Sequence, residues 1–129
     1  MPNLAETSAS QPETLRRAIA FIHDNAHRDI GLTDIAAAIG VTPRSVQYMF
    51  RRHLDNTPLE YLRSVRLHRA HRDLQAADPA VHTVMEIAGR WRFGHPGRFS
   101  IAYKETFGTP PSRTLRGGNT ALQRVAPQR

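Results

Sequence analysis

Apolar residues recur at helical spacing along most of this chain, and glycines, prolines and capping residues interrupt them at short intervals. Leu15, Ala18, Ile19, Ile22 and Ala26 share one face of a first helix. Ser10-Gln11-Pro12-Glu13 opens it, with serine as cap and proline in the first turn, and Arg28-Asp29-Ile30-Gly31 breaks it. A short second helix turns Leu32, Ile35, Ala36 and Ile39 inward and stops at Gly40, a residue suited to a left-handed cap. Thr42-Pro43 then supplies a cap and a first-position proline for a third helix, whose Val46, Met49, Phe50 and His53 face the core.

A fourth helix opens at Thr57-Pro58-Leu59-Glu60, a capping box, and runs to about Leu74. Its apolar stripe changes direction, with Leu59, Leu62 and Val65 on one side and Leu67, Ala70 and Leu74 farther round. That shift predicts a linker helix that packs on one subdomain and then on another; roughly 17 residues at ~1.5 Å each span roughly 25 Å. Asp78-Pro79 marks a loop, and Thr83-Val84-Met85-Glu86 caps a fifth helix with Val84, Ile87, Ala88 and Trp91 inside. Pro96 begins a sixth helix that buries Phe99, Ala102 and Tyr103 and ends at Gly108, before Pro110-Pro111-Ser112 starts a short closing helix. Strand alternation is absent, so the pattern reads as all-α. The expected divisions are a disordered segment over 1–10, a first subdomain over 11–56, the linker over 57–75, a second subdomain over 76–116 and a flexible tail over 117–129.

The two halves repeat. Ile35-Ala36, Val46, Phe50, Leu54, Pro58 and Leu62-Arg63 recur as Ile87-Ala88, Phe99, Tyr103, Phe107, Pro111 and Leu115-Arg116. The offset is 52 residues for the first pair and 53 for the others, so one residue enters the turn between two helices. Each copy is a small helix, a tight turn and a longer proline-initiated helix, the grammar of a helix-turn-helix.

Charge sharpens this reading. The formal net charge is +7 and the pI about 11.2, which favours a polyanionic partner. The bias is uneven: residues 1–60 hold six arginines against seven acids, and residues 61–129 hold twelve basic residues against four. Cysteine is absent, which excludes disulfides and thiolate metal sites, and no apolar run approaches the ~20 residues that cross a bilayer. The polar Met1–Ser10 lacks a signal-peptide plan, so a cytoplasmic location without membrane contact is expected.

With these residues placed, the chain resembles the DNA-binding domain of the AraC/XylS family of bacterial transcription regulators. The first match is Asp34-Ile35-Ala36, Gly40-Val41-Thr42-Pro43-Arg44, Phe50, Pro58, Tyr61, Arg66-Leu67, Ala70 and Leu74. The second is Ile87-Ala88, Phe93, Phe99-Ser100, Tyr103-Lys104, Phe107-Gly108 and Pro111-Ser112. Together they cover residues 14–116, about four fifths of the chain, and the pair with its Arg-Leu-x-x-Ala linker is far more specific than one motif. The resemblance implies seven helices in two helix-turn-helix subdomains joined by a long helix, with helices three and six in successive major-groove segments. It implies double-stranded promoter or operator DNA and RNA polymerase as partners, no catalytic activity and no cofactor. A small-molecule effector would act only through a domain this chain lacks; Met1–Ser10 resembles an interdomain remnant, which favours the C-terminal piece of a longer regulator over a stand-alone binder. The chain departs from the family in three places: Arg92 and Asp55 replace glycines, and Gly94-His95-Pro96-Gly97-Arg98-Phe99 replaces a commoner Ser-Asp-Gln-Ser pattern.

Burying Val46, Met49 and Phe50 leaves Arg44, Gln47, Tyr48 and Arg51 on the opposite stripe of the third helix as base readers. Arginine can hold both guanine acceptors and glutamine both adenine groups, at roughly 1–3 kcal/mol of discrimination per good pair. The same geometry exposes Gly97, Ser100, Ile101 and Lys104 on the sixth helix, with Arg98 beside them; Gly97, Arg98, Ser100 and Ile101 are the base readers there, and Ile101 suits a thymine methyl. Phosphate contacts are expected from Thr42, Arg52, Arg90, Arg92, His95, Lys104 and Arg113, near helix starts whose amides are unpaired. The first helix therefore carries more specificity and the second more backbone contact.

Rival readings are thinner. His23-Asp24-Asn25-Ala26-His27 resembles a zinc-protease helix with Asp for Glu, but lacks the third ligand an open catalytic zinc requires. His68 and His71 read as solvated, and Trp91 as core. The alternative function is a helical protein-interaction module that has lost DNA binding; such a dock favours an apolar stripe where Arg44, Gln47, Tyr48 and Arg51 stand.

Overall fold

The structure, a computed structural model, describes residues 12–117, so the expected Ser10 cap, the 1–10 segment and the tail beyond 117 lie outside the described residues. The described residues form helices without a strand: α1 Glu13–Asn25, α2 Leu32–Ile39, α3 Pro43–Leu54, α4 Pro58–Ala76, α5 Val84–Arg90 and α6 Pro96–Phe107. A closing α7 spans 111–117. They divide into two compact units whose boundary falls inside α4, between Val65 and Arg66.

In the first unit α1 buries Leu15, Ala18 and Ile22 completely, as its C-terminal cap residue Ala26 is, with Ile19 half-buried at the edge of the stripe. Pro12 stands outside this helix as its cap residue and not in its first turn; it offers no side-chain acceptor, and its carbonyl receives Arg16 N at 3.1 Å. Ile35, Ala36, Ile39, Val46 and Phe50 close the core, Phe50 being fully buried and touched edge-on by Tyr61 at 5.7 Å. Burial of the Tyr61 phenol raises its pKa. Removing a ring such as that of Phe50 costs about 3–5 kcal/mol.

Two expected core positions face solvent instead. His53 is exposed, because the α3 stripe runs through Val46, Phe50 and half-buried Leu54 at intervals of four and swings position 53 outward. Leu59 is 49% exposed, because its neighbour Pro58 takes the fully buried place and Leu62 continues that stripe. The expected capping box at the start of α4 is present: Thr57 N donates to Glu60 Oε1 and Glu60 N to Thr57 Oγ1, both at 3.0 Å.

In the second unit Leu67, Ala70 and Leu74 from α4 pack with Ile87, Ala88, Phe99, Ala102, Tyr103 and Leu115. The stripe's change of direction along α4 is thus real: Leu62 and Val65 are buried in the first unit, Leu67 onward in the second. Tyr103 lies at the centre, wholly buried, and its hydroxyl donates to Thr114 Oγ1 at 2.8 Å. His71 Nδ1 shares a 2.7 Å hydrogen bond with the same hydroxyl, and its ring stacks on Phe107 with centroids 4.1 Å apart. His71 is therefore half-buried and partnered, not solvated as expected; His68 stays exposed, edge-on to Phe107.

Burial and the nearby His68 hold the His71 pKa below its ordinary 6.5. The folded state favours the neutral ring, so the unfolded chain binds the proton more readily and stability present above pH 6.5 is lost as pH falls below it. Urea unfolding between pH 7.5 and 5, both values roughly bracketing the ordinary imidazole range, should show the midpoint dropping on acidification. The slope should flatten in His71→Gln; an unchanged slope in that variant would place the titration elsewhere.

Candidate nucleic-acid interface

Each unit carries a helix, a left-handed turn and a second helix, held by equivalent bonds. At the end of α2, Gly40 has φ 74° and Val41 N donates back to Ala36 O at 3.1 Å. At the end of α5, Arg92 has φ 72° and Phe93 N donates to Ala88 O at 3.0 Å. The bond spanning five residues satisfies an orphan helix carbonyl and reverses the chain in both copies. Beyond it the copies differ by one residue. Thr42 caps α3 by accepting Ser45 N on Oγ1 at 3.1 Å, and His95 caps α6 by accepting Arg98 N on Nδ1 at 3.3 Å. Val41 matches Phe93 and Thr42 matches His95, so Gly94 is the inserted residue.

The ends of the long helices also correspond. Asp55 at φ 52° and Gly108 at φ 77° are left-handed caps whose amides return to Arg51 O and Lys104 O at 3.1 and 2.8 Å. Aspartate tolerates this region better than most residues. The buried stripes match too: Val46 and Phe50 answer to Phe99 and Tyr103, Pro58 to Pro111, and Leu62 to Leu115.

With those faces inward, Arg44, Gln47, Tyr48 and Arg51 are all exposed on α3, Tyr48 at 64%. They line an open depression of about 360 Å³ together with Arg52. No acid interrupts α3, and its first turn, with Pro43 lacking an N–H and Ser45 N taken by Thr42, keeps the positive end of the helix dipole. On α6, Gly97, Arg98 and Ile101 are exposed, Ile101 at 62%, whereas Ser100 is half-buried and projects less than expected. Thr42, Arg52, Arg92, His95, Lys104 and Arg113 are exposed. Arg90 is exposed as well, but its Nη1 pairs with Asp73 Oδ2 at 3.0 Å, so any phosphate contact competes with a carboxylate.

The same Asp73 oxygen accepts Trp91 Nε1 at 2.7 Å, and the Arg69 guanidinium lies 5.6 Å from the Trp91 ring centroid. Trp91 is thus half-buried at the rim of the core. Sequence periodicity missed this cluster, since residues 17 and 18 apart carry no pairing signal; the one clue is that Asp73 is a single acid among Arg63, Arg66, Arg69 and Arg72. His23 of the zinc-like segment shares a hydrogen bond with the Tyr61 hydroxyl at 3.0 Å, and no trio of metal-ligating residues converges among the described residues.

A family model described as "Helix-turn-helix domain" matches residues 35–117, more than half of the chain. The "Probable thc operon regulatory protein" of Rhodococcus erythropolis is 40% identical over 113 residues, covering 88% of this chain and 34% of that protein. A probable AraC family transcriptional regulator from Rhodopseudomonas palustris superposes with a TM-score of 0.75 at 30% identity, covering 81% of this chain and 96% of that one. The chain belongs to the AraC/XylS family of helix-turn-helix domains. It spans about a third of the length of the curated relatives it matches. The DNA-binding domain of AdpA, solved in complex with a target DNA, shares the fold with a TM-score of 0.71 at 24% identity, covering 90% of this chain and 98% of that one.

Within this AraC/XylS fold, Arg92 is the position where local geometry and residue type conflict. Only glycine adopts positive φ without cost, and a side chain there loses on the order of 1 kcal/mol. Arg92→Gly should therefore raise unfolding stability, by up to roughly 1 kcal/mol in urea titrations. Lowered stability would mean that the arginine side chain contributes more to the fold than the turn loses.

Proposed function

We propose that this domain binds double-stranded DNA in a sequence-specific manner as part of a bacterial transcription regulator, with α3 and α6 entering successive major-groove segments. The observation that carries the reading is the stripe of Arg44, Gln47, Tyr48 and Arg51, exposed on a proline-initiated helix whose opposite face buries Val46 and Phe50 and half-buries Met49 and Leu54. A helix of this kind fits the major groove, and its arginines and glutamine match the paired acceptors and donors on purine edges. Arg98 and Ile101 read from α6, with Gly97 allowing close backbone approach and Ser100 in a minor part. Thr42, Arg52, Arg92, His95, Lys104 and Arg113 contact phosphates, and the α3 amide end adds its dipole. The operon-regulatory name of the Rhodococcus relative and the target DNA bound by AdpA support the same reading.

Regulation of an operon also calls for RNA polymerase as a protein partner. A small-molecule effector would act outside the matched region, which covers 34% of the Rhodococcus relative. Such a role places the protein in the cytoplasm; none of the described helices is long and apolar enough to cross a membrane. Nothing in the proposed interface performs covalent chemistry.

Selection of duplexes from a random pool tests the reading directly. The expected product is a bipartite motif with its parts about one helical turn apart; failure to enrich any motif would remove it. On the selected duplex, Arg44→Ala should lose about 1–3 kcal/mol against a much smaller loss on a scrambled duplex. Lys104→Ala should weaken both alike and reduce the log–log salt slope by roughly 0.9. Equal losses on both duplexes for Arg44→Ala would assign that residue to the backbone.

A further inference from the structure

Asp73 is an acid on an otherwise basic stretch of α4, and a single carboxylate oxygen takes two donors, one from the last residue of α5 and one from the residue that caps it. Trp91 Nε1 approaches at 2.7 Å and Arg90 Nη1 at 3.0 Å. Both residues immediately precede Arg92, the non-glycine residue held at φ 72°. A half-buried indole needs an acceptor, and a carboxylate oxygen has lone pairs for two. Arg69 lies over the other part of the same indole, 5.6 Å from the ring centroid. One carboxylate thus fixes the tryptophan that ends α5 and holds the guanidinium next to it.

We propose that Asp73 is a positioning residue for DNA binding by the second helix-turn-helix: it anchors Trp91 so that the strained turn has one conformation, and it withholds Arg90 from the phosphate backbone. The inference rests on the reading that α6 enters the DNA groove. It separates the basic residues of this turn into two groups. Arg90 is neutralised in the free protein by its ion pair, at side-chain exposures of 44% and 30% for the two partners, so it adds little nonspecific attraction. Base-independent affinity is thereby restrained, and discrimination depends more on the residues α6 presents. A free arginine at this place would strengthen binding to every duplex equally, since phosphates carry no sequence information.

Two substitutions separate the two roles. Asp73→Asn keeps an oxygen that accepts the indole N–H but loses the charge that holds Arg90. Asp73→Ala loses both. Trp91 is the only tryptophan, so its emission reports the anchor without any DNA present. Emission should stay near wild type in Asp73→Asn and move to longer wavelength in Asp73→Ala. In fluorescence titrations on the selected and scrambled duplexes, Asp73→Asn should bind both more tightly, with a salt slope steeper by roughly 0.9. Adding Arg90→Ala should abolish that gain. Asp73→Ala should narrow the ratio of selected to scrambled affinity, and Asp73→Asn should restore the part of that ratio set by the anchored turn.

Wild-type affinity and slope in Asp73→Asn, or a gain that survives Arg90→Ala, would overturn the withholding role. Unmoved Trp91 emission in Asp73→Ala would overturn the anchor. Thermal unfolding of each variant identifies a purely structural effect, which would lower the melting temperature and weaken both duplexes without changing the salt slope; that result also overturns the proposal. Wild-type protein that ignores both duplexes would remove the DNA reading and the proposal with it. Wild-type binding beside an unresponsive Asp73→Asn removes the proposal alone.

Discussion

Phe50 and Tyr103 occupy equivalent places in the two copies, and both are sealed from solvent. A helix has one rotational freedom about its axis once its ends are fixed, and a large aromatic ring driven into a core removes it. Each such ring contributes on the order of 1.5–3 kcal/mol through burial alone. Whatever stands on the far side of the cylinder is then presented outward as a consequence. Arg44, Gln47, Tyr48 and Arg51 owe their exposure to Val46 and Phe50, just as Ile101 and Lys104 owe theirs to Phe99 and Tyr103. The polar stripe is set by the apolar one.

The turn before each long helix supplies the second constraint, because it decides where the helix begins. The two turns reach the same backbone path by different chemistry. Gly40 enters the left-handed region without hindrance, while Arg92 enters it against its own β-carbon. The second copy also has one more residue in the connection, Gly94, before its cap. A longer and strained turn needs more support than a short relaxed one, and the second unit has it. Asp73 ties Trp91, Phe93 packs on Phe99 at 4.9 Å, and Tyr103 is bonded on both sides by His71 and Thr114. Strain in one segment persists only where the surroundings over-determine it.

Helix count, starts and stops were legible because they depend on neighbours in sequence. Proline, threonine and glycine act within a turn of where they stand, so α3, α5 and α6 begin and α2 and α6 end where those residues predict. The repeat carried the rest of the core, since Leu62 foretells Leu115 and Pro58 foretells Pro111. Errors arose at stripe edges. His53 and Leu59 lie one helical step from buried neighbours, and the choice between adjacent positions is made by tertiary packing. Asp73 with Trp91, and His71 with Tyr103 and Thr114, were invisible for a different reason: side chains from separate elements meet there, two in the first case and three in the second, and no periodicity encodes the meeting. The partnered state of Arg90 was lost for the same reason, and its exposure alone gave no hint of the carboxylate.

The two polar stripes are chemically unequal, and that inequality follows from the positions themselves. Arg44 corresponds to Gly97, Gln47 to Ser100, Tyr48 to Ile101 and Arg51 to Lys104. Within this stripe the forked donors Arg44, Gln47 and Arg51 are matched on α6 by a side chain that is absent, short or a point charge, and Tyr48 by an apolar one; Arg98, beside the stripe, is the forked donor that α6 keeps. Bidentate groups discriminate bases through fixed geometry, whereas an ammonium on a flexible stem discriminates poorly. A methyl-reading isoleucine on α6 can still favour thymine, but over a smaller range of energy than a forked pair. For the proposed DNA complex, the first copy then selects sequence, and the second holds register along the duplex. A rigid, well-braced turn matters most for the second task, since register and the weaker base contacts of α6 both fail when their frame moves.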